Sequence, residues 1–371
     1  MVGCKKKDSG TDTKYIRADI DKMDNISIFD IFDKIEVIPL ETTDKSLIGG
    51  ISKVIVHNDV YYVLDPSFAI CKLIAFDKQG KFLFNIDDKG QGPDEYLDIA
   101  DFDIDKYNQR IILLSAVGAS LHEYDLNGNF LQKIKLPEIV NAYGKVKLLN
   151  KDTLVFWTYD YDNRMKFYST NSNTIFKESQ PGMNNVSISL EMSAFPFFNY
   201  NYFTKVLDNR VYQLLPDGEV TIAYTWDFGN LNILDETVKQ MPRLQGQATV
   251  DYIKKAYASE VINYMFKLSE RNSQYLYTGL IRENKYINVF HNENRNKTYV
   301  FEKTKEGAAL FPFCWTDDYV VGYAPFWRIF KTSMEDIIPD AILDEENVLR
   351  KRQHGEEDNP VLIKYHFRKQ P

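Results

Sequence analysis

The chain has 371 residues, a net charge of −8, 44% apolar residues and 26% charged ones. That balance belongs to a folded globular chain, and its acidity argues against nucleic acid as a partner, because an acidic surface gains nothing from phosphate counterion release. No run approaches the roughly 18 apolar residues of a membrane-crossing helix, while 24 Tyr and 24 Phe tilt the composition towards β structure.

The chain opens Met1-Val2-Gly3-Cys4-Lys5-Lys6-Lys7. A small residue directly before Cys, followed by a polar tail, has the pattern of a bacterial lipid-attachment site. Acylation of Cys4 would fix the protein to a membrane without a spanning segment. The polar residues that follow show no clear period, so 1–33 reads as a tether. The other cysteines, Cys71 and Cys314, sit in apolar strand-like runs and read as buried free thiols. No cysteine pair has zinc-ligand spacing.

Repeats then dominate the pattern. Residues 51–84 and 99–131 align as two copies of one unit. Each has an apolar strand, a polar turn (His57-Asn58-Asp59; Lys106-Tyr107-Asn108) and a second strand. A third strand ends in an aromatic-Asp pair (Phe76-Asp77; Tyr124-Asp125), a Gly turn follows (Gly80; Gly128), and a fourth strand completes the unit. Four antiparallel strands every ~40–50 residues is the period of a propeller blade. Gly in the turn supplies the positive φ that a tight hairpin needs. Weaker copies follow over 145–177, with Asn171 and Asn173 at the turn, and up to 229, with Pro216-Asp217-Gly218. Two more lie over 278–303 and from 311 onwards.

Two segments break the pattern and read as helical insertions, at about 234–268 and 334–352. In the second, Ser333 and Asp336 have capping-box spacing. The last blade shows only two strands before its helix. The run 359–368 supplies a third, and the run 34–41, which has no blade of its own, supplies a fourth. The expected fold is therefore all-β: a six-bladed β-propeller over 34–371, closed by N- and C-terminal strands and free of an open edge.

Three stretches carry a family likeness: Gly90-Gln91-Gly92-Pro93-Asp94-Glu95-Tyr96, the turn from Phe76 to Phe82, and Asn359-Pro360-Val361-Leu362. Together they resemble a family of six-bladed β-propeller lipoproteins abundant in gut Bacteroidetes and related to NHL-repeat propellers. The resemblance spans roughly 34–368. It implies a lipidated propeller, often found near polysaccharide-uptake systems, and implies no established activity.

The loop Gly90, Gly92, Pro93, Glu95, Tyr96 reads as structural: two glycines for a sharp turn, a proline to stiffen it, and two side chains to tie it down. Asp101, Asp103 and Asp105 alternate, which puts three carboxylates on one face of an inner strand. They lack the Gly and distal Glu of an EF-hand, and no metal is assigned to them or to Asp160 and Asp162. His57, His122, His291, His354 and His366 form no metal or catalytic motif. His57 and His291 are expected in turns. The aromatics Trp157, Tyr159 and Tyr161, with Trp315, Tyr323 and Trp327, are the candidate ligand-binding residues, since rim aromatics stack on sugar faces; Tyr319 and Phe326 share the second group.

Three functions follow in order. The first is a non-catalytic binding module of the cell envelope, anchored only by lipid and recognising a glycan or an envelope protein, with no cofactor. The second is an NHL-like hydrolase or lyase with a metal or carboxylate site in the channel. The third is a structural subunit of an envelope complex.

Overall fold

The computed structural model describes residues 14–369 except 68–70, 140–141, 161, 181–196, 199–200, 243, 266, 325–333 and 356; of 197–198, 267, 323–324 and 334 it describes the backbone alone. Its strands form six sheets, each a blade. Two N-terminal strands, β1 (Tyr15–Arg17) and β2 (Phe32–Pro39), serve blades far along the chain. Blade 1 is β3 (Lys53–His57), β4 (Val60–Asp65), β5 (Lys72–Phe76) and β6 (Phe82–Ile86). Blade 2 is β7 (Asp101–Asp105), β8 (Arg110–Ser115), β9 (Ser120–Asp125) and β10 (Phe130–Lys135). Blade 3 is β11 (Tyr143–Asn150), β12 (Thr153–Thr158), β13 (Met165–Ser169) and β14 (Thr174–Ser179). Blade 4 joins β15 (Phe197–Phe198), β16 (Tyr202–Thr204), β17 (Arg210–Leu214) and β18 (Val220–Asp227), with β1 outside β18. Blade 5 is β19 (Lys267–Arg271), β20 (Tyr275–Arg282), β21 (Lys285–Asn292) and β22 (Lys297–Phe301). Blade 6 runs β23 (Pro312–Trp315), β24 (Tyr319–Ala324), β25 (Val361–Phe367) and then β2.

The inner strands meet β3 with β7, β7 with β11, β15 with β19, β19 with β23, and β23 with β3, which closes the ring. Middle strands are covered on both faces, so they read as unbroken apolar runs such as Ile111-Ile112-Leu113-Leu114. Each pair of neighbouring blades shares one apolar cluster. Ile38, Val321 and Leu362 of blade 6 meet Tyr61, Val63 and Phe76 of blade 1; Phe167 of blade 3 meets Phe203 and Leu214 of blade 4.

The hairpin glycines do two jobs. Gly80 and Gly128 have φ of 85° and 83°, and a Cβ on either would strike the preceding blade, Pro39 O at 2.2 Å or the Phe84 ring at 2.4 Å. Asp77 and Asp125 tie the same turns by accepting from the N–H groups of Gln79 and Lys81, and of Asn127 and Asn129.

Blade 6 closes as the sequence predicts, with β25 between β24 and β2. Asn359 is buried and locks the passage into blade 1: its Oδ1 accepts from Ile48 N, and its Nδ2 donates to the carbonyls of Glu41 and Ser46. Charge adds to the closure. Glu36 on β2 pairs with Lys34 and lies 2.8 Å from His366 Nε2 on β25. Burial opposes its ionisation, but the hydrogen bonds from Lys34 and His366 outweigh that and lower the Glu36 carboxyl to about 2. A carboxyl lowered on folding stabilises fully above its unfolded value of about 4.3 and ceases to as pH falls through its folded value. Urea melts across that acid window should therefore show declining stability. In Glu36→Gln the decline should be shallower, and an unchanged slope would remove Glu36 from the closure.

Over 14–33 the chain is not the tether that the sequence suggests. From Lys14 onwards the chain is a strap over the rims of blades 4, 5 and 6. β1 pairs in parallel with β18. Asp24 then bonds Val300 of β22 through its backbone N and its Oδ2, Lys305 N donates to Ile26 O, and the strap runs into β2. Ile16, Ile20, Ile26, Ile28 and Ile31 are buried beneath it. These apolar residues anchor an irregular backbone, so no helix or strand period marks them.

The first insertion also differs. It holds two helices, α1 (Asp235–Gln240) and α2 (Gln247–Ala258), and the predicted helix end from Lys267 is instead the inner strand β19. Val238, Ala256 and Met265 dock the insertion on Val206 and Leu207. The second insertion has α3 (Met334–Ile337) and α4 (Glu345–Gln353). Asp344 caps α4 by accepting from Asn347 N, while Ser333 lies outside the described residues. Through Asn347 and Arg350, α4 bonds Val37 and covers the outer edge of blade 6.

Candidate functional site at the channel mouth

Asp101 accepts from Val146 N and Asp103 from Leu148 N, each carboxylate reaching from β7 to β11. Two residues further on one strand matches two further on the other, so β7 and β11 run parallel and their C-terminal ends gather at one end of the channel. There the channel opens into a cavity of 680 Å³, within the roughly 300–1,000 Å³ of ligand clefts.

Among the described residues the wall draws on five blades, from Val56 of blade 1 to Trp315 of blade 6. The turn after β7 projects into it. Asp105 Oδ1 accepts from Tyr107 N and Asn108 N, Asp105 Oδ2 accepts from Asn108 Nδ2, and Gln109 takes φ 52°. This fixed turn sets Lys106 and Tyr107 at the opening, with Tyr107 52% exposed. Opposite stand Lys147 from β11, Asn201 and Gln213. Among the described residues no hydrogen bond engages the side-chain amides of Asn201 or Gln213. The mouth thus offers amide donors and acceptors, two ammonium groups and an exposed aromatic ring.

The three aspartates of β7 sit on one strand but do not converge on one point. Asp101 also accepts from Lys53 Nζ at 2.9 Å, joining blades 1, 2 and 3. Both oxygens of Asp103 take backbone N–H groups, from Ile104 and Leu148. Asp105 holds the turn and pairs with Arg110. They satisfy inner-strand backbone that has no further strand beside it.

Among the described residues, Trp315 alone of the aromatic candidates borders the mouth. Trp157 is 2% exposed and packs on Phe203 within the core between blades 3 and 4. Tyr159 is half-buried against the same cluster, and lies towards the opposite end of the channel because β12 runs antiparallel to β11. Trp315 borders the cavity, but at 3% exposure its ring belongs to the core with Tyr277, Phe290 and Phe367. Tyr319 is half-buried, with Lys364 Nζ 3.9 Å from its ring centre. Tyr323 lies in β24 with its side chain outside the described residues, as are Cys4, Tyr161, Phe326 and Trp327 altogether. Buried indoles serve blade packing because a blade covered on both faces needs large flat groups between sheets. Among the described residues the exposed aromatic at the opening is Tyr107, which the sequence shows only as a turn residue. Its signal is position: the turn after a blade's first strand lies at the channel end.

The loop from Gly90 to Tyr96 is bound to itself. Gly90 N donates to Tyr96 O, Gly92 N donates to Glu95 Oε2, and a Cβ on Gly90 would meet Glu95 Oε2 at 1.9 Å. Tyr96 is 1% exposed and its hydroxyl donates to the carbonyls of Cys71 or Ile86. Pro93 is exposed on the same turn. His122 packs edge-on against Tyr96, and burial lowers its basicity. His57 ends β3, whereas His291 lies within β21, 2.9 Å from Thr298 Oγ1, because the hairpin turn falls after Asn292. His354 follows α4, near Asp358. Cys71 and Cys314 are free thiols, Cys71 buried and Cys314 partly exposed, with the Cys314 thiol pushed up to about 12 by its surroundings.

A second cavity, of 690 Å³, lies at the rim of blade 3 beside the exposed Phe176. Asp160 borders it and is held by buried Lys166, which also pairs with Glu178. Asp162 lends only its backbone N–H to Asp160.

A family model described as "Domain of unknown function (DUF4934)" matches residues 13–366. Among solved structures, a "Putative exported protein" from Bacteroides fragilis superposes with a TM-score of 0.73 at 18% identity, covering 96% of this chain and all of that one. A member of the DUF4221 family from Bacteroides vulgatus gives a TM-score of 0.49 at 9% identity, covering 91% of this chain and 97% of its own. No curated protein matches the sequence.

Proposed function

The chain belongs to the DUF4934 family, whose name carries no activity, and we propose that it is a non-catalytic binding module that seats a glycan at its channel mouth. One observation carries this reading: a 680 Å³ opening where Tyr107 is exposed and Asn201, Gln213, Lys106 and Lys147 present polar ends. Sugars need this combination of an aromatic face and convergent hydrogen-bonding groups. A hydrolase or lyase would need convergent carboxylates, and those of β7 are engaged by backbone N–H groups instead.

A thermal-shift panel of glycans tests the proposal, since a ligand of the folded state raises the Tm by mass action. One glycan class should stabilise the chain, and Tyr107→Ala should cut that shift at least by half while leaving the unliganded Tm unchanged. A shift that survives Tyr107→Ala would place the ligand elsewhere, and capture of a protein partner with no glycan response would replace the glycan.

The envelope location belongs to the same proposal. Cys4 follows Gly3 and precedes three lysines, and the described chain starts on the rim of blade 4. Ten residues from Cys4 to Lys14 reach at most about 36 Å, so lipid on Cys4 would hold the disc by its rim, close to a membrane. The intact mass of the membrane-extracted protein should carry a diacylglycerol thioether; an unmodified Cys4 would refute the anchor.

A further inference from the structure

The charges at the mouth are unequal in what already occupies them. Asp103 is 4% exposed, and both its oxygens accept backbone N–H groups, from Ile104 at 3.0 Å and Leu148 at 2.7 Å. Asp317 accepts from Ser273 N at 3.0 Å. The two acids of the wall are thus occupied by the fold.

The ammonium groups are not. Lys106 makes no ion pair among the described residues; its Nζ lies 5.5 Å from the centre of its neighbour Tyr107's ring. Lys147 reaches Asp103 Oδ2 only at 3.6 Å, on an oxygen that Leu148 N already holds at 2.7 Å. An ammonium has three N–H donors, and this contact fills none of them well. Both cations face one cavity, on a chain whose net charge of −8 otherwise repels anions. Around them stand the uncommitted amides of Asn201 and Gln213 and the ring of Tyr107, which suit the hydroxyls and faces of a sugar.

We infer that the mouth selects a sugar bearing an anionic group, a carboxylate or a sulfate, with Lys106 and Lys147 as its cationic partners. This rests on the mouth as the glycan site and adds the charge of the ligand. An anion between the two lysines gains charge-assisted hydrogen bonds that a neutral sugar lacks. Asp103 and Asp317 keep their charge, so the gain rests on Lys106, which has no ion pair among the described residues, and on the N–H donors that the 3.6 Å contact of Lys147 leaves unfilled.

Calorimetric titration with maltotriose, sulfated maltotriose and trigalacturonate tests it. At least one acidic probe should bind about tenfold more tightly than maltotriose at roughly 50 mM salt, the gap narrowing near 500 mM as screening grows. Lys106→Gln and Lys147→Gln should each weaken acidic binding by about threefold or more, and weaken it by a larger factor than they weaken maltotriose binding. Lys106 is exposed, so its variant keeps the test valid if Lys147→Gln disturbs the strand. Whichever acidic probe binds more tightly identifies the group as carboxylate or sulfate. Equal affinity for all three sugars, no binding by any, or acidic binding that ignores both substitutions would overturn the inference. Maltotriose binding that is lost in Tyr107→Ala, with no acidic preference, would overturn it while keeping the mouth as the site.

Discussion

A chain cut after Asp358 will not form a ring. The cut removes β25, which lies between β24 and β2 and bonds to both. Val361, Leu362, Ile363, Tyr365 and Phe367 are each at most 3% exposed. Truncating one such side chain costs about 2–5 kcal/mol, so losing all of them exceeds the roughly 5–15 kcal/mol that keeps a domain folded. β2 would lose its partner, and blades 1 and 5 would each expose an apolar face. Circular dichroism and urea melts of the truncated chain should show no cooperative transition. Adding residues 359–371 back as a separate peptide should restore one in part. A truncated chain that melts cooperatively near the full-length midpoint would mean that the terminal strands decorate the ring instead of closing it.

Replacing Asp101 by Ala should cost about 1–3 kcal/mol, the penalty for leaving a buried donor without its acceptor. Asp101 is 2% exposed and receives Lys53 Nζ from blade 1 and Val146 N from blade 3. Without it the buried Val146 N–H loses its acceptor and the Lys53 ammonium loses its carboxylate, keeping only the Phe102 carbonyl. Asp101→Asn should cost less, because the amide oxygen still accepts from Val146 N. Urea melts of the two variants check this order. Calcium should leave both wild-type and variant melts unmoved. Strong stabilisation of wild type by calcium, absent in Asp101→Ala, would instead make the β7 aspartates ligands.

Much of the fold was legible in the sequence. Asp and Gly at Asp77-Gly80 and Asp125-Gly128 announced hairpins, because few residues tolerate φ near 85° against a neighbouring blade. The orphan strands at the two ends found each other because blade 6 lacked two. Other features depend on tertiary contacts that leave no local period. The strap over 14–31 is fixed by five isoleucines set among polar residues, so it looked like a tether. The first insertion was readable in part: Pro242 and Gly246, with φ 52°, break the run into α1 and α2. The inner strand β19 was lost in the helical spacing, since short apolar runs fit both periods.

The site was less legible than the ring. Aromatic content pointed to Trp157 and Trp315, but composition does not separate a rim from a core between blades. Asp101, Asp103 and Asp105 were correctly placed on an inner strand, yet Asp101 and Asp103 accept from Val146 N and Leu148 N, 45 residues away in the next blade. Tyr107 and Lys106 became candidates only once the ring set the turn after β7 at the channel's end.

Hydrogen–deuterium exchange, with and without the glycan found by the thermal-shift panel, tests the site most directly. Binding at the mouth should slow exchange in the turn 106–109 and over 147–149, and leave the rim of blade 3 over 174–178 unchanged. Protection at 174–178 with none at 106–109 would move the site to the second cavity and contradict the channel mouth as the place of binding.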